Sequence, residues 1–255
     1  MKKTATITLI LFVTIAASLL FLPASLAKYF VNQTPGLDAI RFGGTIWNGQ
    51  TTLIISNGPT AKISWRLQQL THSQSTELFG LQPTFTWALN NADLDVQGTL
   101  ELRRTTAHLR ARGNISSNAL APLLNRFDIF LSGNFSLAQT LVTAPYRTES
   151  LSQISLVNPI TLTWSGGQIS YILGSQYNQI ELPSLIARVD SGPNQALLAD
   201  ISQASNSAKL LDLDLSLDGM IRIRLNRRFI DLLAYPWPGE QNPNDIVIEV
   251  ERPIL

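Results

Sequence analysis

Leu211-Asp212-Leu213-Asp214-Leu215-Ser216-Leu217, then Asp218-Gly219, then Met220-Ile221-Arg222-Ile223-Arg224-Leu225, is the stretch that decides the fold class. Apolar and polar residues alternate strictly, which puts all the leucines on one face of an extended strand. Asp218-Gly219 is a two-residue hairpin signal, so the second run returns antiparallel to the first. Asp212 and Asp214 oppose the leucines, and Arg222 and Arg224 oppose Ile221 and Ile223. Cross-strand ion pairs are predicted, each worth under about 1 kcal/mol at the surface. The returning arginines outweigh a metal or acid–base reading of the two aspartates.

The same device extends outward through the chain. Ile63, Trp65 and Leu67 alternate, as do Phe85, Trp87 and Leu89, then Leu94, Val96, Leu100 and Leu102. Ala107, Leu109 and Ala111 follow, opposite His108 and Arg110; His108 reads as a solvated strand residue. Asn57-Gly58-Pro59 and Asn90 to Asp93 mark turns. Two short helices are predicted, at Ser117 to Leu124 with a Ser or Asn cap and at Arg227 to Tyr235 before Pro236. Asp245 to Glu251 reads as a last strand. The expected fold is mainly β, a curved antiparallel sheet.

Pro159 to Trp164 echoes Pro83 to Trp87, Glu181-Leu182 echoes Glu101-Leu102, and Leu217 to Gly219 echoes Leu131 to Gly133. These echoes imply two related β-halves, 28–138 and 158–255, joined by a Ser/Thr-rich linker at 139–157.

At the other end, Ala5 to Leu22 is an apolar run with no charge between Lys3 and Lys28. Its 18 residues would make a helix of roughly 27 Å, close to the hydrocarbon thickness of a bilayer. With Lys2 and Lys3 before it, residues 1–27 read as a cytoplasmic tip and single transmembrane anchor. Ser25-Leu26-Ala27 offers a rival reading, a signal peptide cleaved after Ala27. Either reading carries the body across a membrane, and in the anchored one the N-terminus stays cytoplasmic.

Charged residues are only 15% of the chain, with 19 Lys+Arg against 18 Asp+Glu. That balance gives no overall electrostatic case for nucleic acid. There is no cysteine and there are only two histidines, His72 and His108. Disulfides and thiolate metal sites are therefore excluded, and imidazole ligands are scarce. No G-x-S-x-G, H-E-x-x-H, P-loop or dinucleotide fingerprint occurs. The expectation is a non-enzyme without cofactor, metal or catalytic residues.

The order of an N-terminal anchor ending in Leu22-Pro23-Ala24, then Gly44-Thr45-Ile46-Trp47-Asn48-Gly49, then Trp65, then Pro159 to Gly166 around Trp164, resembles the type II secretion system protein N family. The resemblance implies a single-pass protein of the bacterial inner membrane, with a cytoplasmic N-terminus and a periplasmic β-body, that serves export of folded proteins by protein–protein interaction. It implies other inner-membrane and periplasmic components of the secretion machinery as partners, besides the membrane itself through Ala5 to Leu22. Gly44, Trp47, Gly49, Trp65 and Trp164 match the pattern as structural positions, and no catalytic residue carries over. A second function reading, from the apolar sheet faces, is a tethered periplasmic carrier of lipid or glycolipid with a β-sheet groove.

Overall fold

The computed structural model describes residues 18, 20–31, 36–56, 58–72, 81–125, 128–146, 155–173, 176–192, 197–216, 220–239 and 242–253. Alternation becomes strand almost throughout. In chain order the strands are β1 (Leu37–Gly44), β2 (Asn48–Ile55), β3 (Thr60–His72), β4 (Leu81–Asn90), β5 (Leu94–Leu102) and β6 (Thr106–Ser116). They continue with β7 (Ile129–Leu131), β8 (Asn134–Pro145), β9 (Ser155–Leu156), β10 (Ile160–Trp164), β11 (Gly167–Leu173) and β12 (Gln176–Leu182). The last five are β13 (Leu185–Ser191), β14 (Leu197–Gln203), β15 (Lys209–Leu215), β16 (Met220–Asn226) and β17 (Ile246–Pro253).

Fourteen strands form one sheet in the order β1-β2-β3-β4-β5-β6-β8-β10-β13-β14-β15-β16-β17, with β9 added against β8. Strands β12, β11 and β7 form a separate three-stranded sheet. Within 139–157, residues up to Pro145 belong to β8, residues 147–154 lie outside the described ones, and Ser155–Leu156 are β9. Sequences on both sides of that segment thus share one sheet through the β8–β10 pairing.

The register aligns one apolar row across twelve strands: Thr51, Ile63, Leu89, Val96, Gly113, Leu137, Leu162, Ala187, Ile201, Leu211, Leu225 and Ile248 are successive cross-strand partners. The neighbouring row, starting Lys62, Asn90, Asp95, Asn114, Ser136 and Thr163, is polar. Since side chains alternate between faces, the sheet has an apolar face and a polar face.

Few of the apolar side chains are excluded from water. Those buried among the described residues are Ala24, Ala39, Ala61, Leu94, Val96, Ala119, Trp164, Leu182, Leu210 and Ile230, of which four are alanines. One closed cluster joins Ala61, Leu94, Val96 and Ala119. The Ser117–Leu124 helix supplies Ala119, and Ser116 caps that helix by accepting the Asn118 N–H at 3.2 Å. The second predicted helix spans Arg227–Leu232 and buries Ile230.

In the β15–β16 hairpin the ion pairs form, rearranged from the directly opposed ones. Arg224 reaches diagonally to Asp214 at 2.6 Å, Asp212 takes Lys209, and Arg222 turns to Glu249 and Glu251 on β17. The turn residues 217–219 lie outside the described ones. Asp214→Asn is expected to cost no more than about 1 kcal/mol in urea denaturation.

The anchor expectation is corrected. Among the described residues no helix is long and apolar enough to cross a membrane. Of Ala5 to Leu22, all but Ser18, Leu20, Phe21 and Leu22 lie outside the described residues. At its described end, the carbonyl of Leu22 accepts the Ile46 N–H at 3.0 Å and Pro23 bridges Thr45. There follow a 3₁₀ turn at Ala24–Ala27 and a four-residue helix at Lys28–Val31, so residues 22–31 are tied into the β1–β2 end of the sheet. The single-pass inner-membrane location, the anchored export component with its secretion partners, and the membrane tether of the lipid carrier all required a spanning helix. Each falls with it.

Candidate functional site

The polar face of β3–β6 carries the site. Asn48, Arg66, Thr86, Thr99 and Arg110 are successive partners in one cross-strand row, and Ser64, Ala88, Gln97 and Arg112 in the next on the same face. Thr86 and Thr99 lie between Arg66 and Arg110 in the first row, and Ser64 and Ala88 stand beside the longer Gln97 and Arg112 in the second. The result is a concavity of about 500 Å³, with Gln139 of β8 also on its wall. Gly98 lies in its floor, where a Cβ would collide with the carbonyl oxygen of Arg110, so only glycine lets β5 and β6 approach this closely.

Its electrostatics are one-sided. The lining contains three guanidinium groups and no carboxylate or imidazole. Elsewhere four arginines have carboxylate partners: Arg103 with Glu101, Arg222 with Glu249 and Glu251, Arg224 with Asp214, and Arg227 with Asp231. Arg41, Arg188 and Arg252 are dispersed outside the concavity and have no such partner among the described residues. Arg66, Arg110 and Arg112 are exposed and make no side-chain hydrogen bond or ion pair with described residues. Three unpaired forks beside the amides of Gln97, Gln139 and Asn48 and the hydroxyls of Thr86 and Thr99 can bind a carboxylate, sulfate or phosphate and hydrogen-bond neutral oxygens around it.

At the rim, Arg103 donates to Glu101 at 2.8 Å and holds its carboxyl below the ordinary value of 4.5, while burial opposes the shift; the charges of Arg103, His108 and Arg110 add to the lowering. Stabilisation from this depressed carboxyl is present above its unfolded value and is lost as pH falls through its folded one. Arg103→Ala is expected to move the Glu101 titration back toward 4.5, read by carboxyl NMR.

The five sequence-derived positions fall at two places. Gly44, Trp47, Gly49 and Trp65 meet in the β1–β2–β3 corner. Gly44 adopts φ +85°, and the Thr45 N–H donates to the Asn48 carbonyl at 2.9 Å, closing the tight turn. Trp65 donates through Nε1 to the Ile46 carbonyl at 3.0 Å, and the Trp47 carbonyl accepts the Leu67 N–H at 2.6 Å. A Cβ on Gly49 would sit 2.5 Å from the Trp65 ring and 2.6 Å from the Thr45 carbonyl oxygen. Gly49→Ala should therefore displace the indole, lowering stability by about 2 kcal/mol and changing its fluorescence. Trp164 stands apart on β10, stacked on Phe135 and bonded to Ser132. Of the five, only Trp65 touches the concavity. Searches of family models, known proteins and solved structures match nothing to this chain.

Proposed function

We propose that the chain is a non-catalytic binding module that takes an anionic, hydroxyl-rich ligand, an acidic oligosaccharide by type, on the polar face of β3–β6. One observation carries this reading: three arginines that make no side-chain hydrogen bond or ion pair with described residues converge on one concavity whose lining holds no carboxylate. From β3 to β6 is three inter-strand steps, about 14 Å, which suits an elongated ligand lying across the strands. The test compares tetragalacturonate, neutral galactotetraose and inorganic phosphate by calorimetry. Saturable binding is expected for the acidic oligomer, weaker binding for phosphate and none for the neutral sugar. Equal binding of charged and neutral oligomers would overturn the proposal. The resemblance of Gly44 to Gly49 and Trp164 to the secretion protein N family is proposed as kinship alone, without the export role.

A further inference from the structure

The opposite face of the same sheet has no cover over most of its extent. From β10 through β16 it presents, among others, Leu162, Ala187, Ile201, Leu211, Leu213 and Ile223, with no charged side chain on that face. These residues have sheet neighbours on both sides, yet all six are half-buried rather than buried. Leu109 and Val250 on the same face are 38% and 37% exposed. Side chains beneath a packed second layer would be excluded from water, because interiors pack to crystal density. An apolar surface of this extent, left open to water, marks an interaction site.

We infer that this face is the interface of a homodimer, two copies packing apolar face on apolar face as a β-sandwich. Extent decides the occupant. The open run from β6 through β17 on the sheet path, eight strands about 4.8 Å apart and about 20 Å long, gives roughly 770 Å² of face per copy. A stable interface needs about 800 Å² per partner, so the partner must cover the whole of that run. One helix or one extended peptide covers a strip only about 10 Å wide and leaves most of the face wet. A second sheet covers it whole. Because the face holds no charge from β10 through β16, it selects an equally neutral and apolar partner, and its own copy meets that requirement by two-fold symmetry. The polar face, with its arginine-lined concavity, then points outward from both copies.

The chain has no cysteine, so single thiols report unambiguously. The full chain is made as Ala187→Cys, on the apolar face, and as Thr163→Cys, on the polar face of the adjacent strand. Sedimentation velocity and maleimide labelling are followed over a dilution series. The expected result is a dimer whose thiol at 187 labels at least 10-fold more slowly than in the diluted monomer, while the thiol at 163 labels equally in both. Leu213→Lys should weaken dimerisation at least about 100-fold with unchanged circular dichroism. A monomer at all concentrations overturns the inference, whether its thiol at 187 is open or shielded by a co-purified apolar guest. So does a dimer in which that thiol remains fully reactive.

Discussion

Arg110→Glu/Arg112→Glu is expected to abolish binding of the acidic oligomer while leaving the protein as stable as before. A charged hydrogen bond is worth about 1.5–3 kcal/mol, so loss of two should weaken binding by about 10²- to 10⁴-fold, and the new carboxylates add repulsion. Both side chains are exposed and make no side-chain hydrogen bond or ion pair with described residues. The stability change should therefore stay within about 0.5 kcal/mol. Calorimetry and urea denaturation on the same preparation separate the two effects. Lost binding with lost stability would mean that the arginines hold the sheet rather than a ligand. Wild-type binding should also weaken with added salt, since the site is open to solvent.

Trp164→Ala should produce the largest loss of stability in the chain, about 4 kcal/mol and about 10 °C in Tm by thermal denaturation. Trp164 is 5% exposed and stacks on Phe135 with ring centroids 6.3 Å apart. Its Nε1 donates to the Ser132 carbonyl at 2.9 Å, and its own carbonyl accepts the Ser184 hydroxyl at 2.6 Å. Ser132 also accepts the Gln168 N–H at its hydroxyl, 2.7 Å away, at the start of β11. The indole thus ties β10 of the large sheet to the chain that enters the small one. Removing it opens a cavity and strands a carbonyl at that junction, where few other large side chains among the described residues are buried. Trp164→Phe keeps the stacking and should cost less than half as much.

How far the sequence discloses this arrangement depends on whether a feature is local. The Leu211–Leu225 alternation specifies its hairpin, because period-two patterning has one way to segregate its faces. The choice of ion-pair partners is not local: Arg222 turns to Glu249 and Glu251 once β17 pairs beside it. The helix at Ser117–Leu124 is legible from its cap and apolar spacing. Gly44 and Gly49 are legible as turn glycines, while the contact between Gly49 and Trp65 follows only from the β2–β3 register. The concavity is the least legible feature. Arg66, Arg110 and Arg112 each read alone as solvated strand residues, and only the pairing of β3 through β6 sets them around Thr86, Ala88 and Gly98. Hydropathy at Ala5 to Leu22 is likewise blind to tertiary contacts. A count of apolar residues registers length but not that Leu22 and Pro23 are paired to the Thr45–Ile46 turn.

The most direct test is a phenylglyoxal footprint of the arginines, read by mass spectrometry with and without tetragalacturonate. Arg66, Arg110 and Arg112 should react readily in the free protein and be protected together at saturating oligomer, while Arg222, held by its glutamates on β17, is unchanged. Protection spread evenly over all arginines, or none at those three, would contradict an anion site on the polar face of β3–β6.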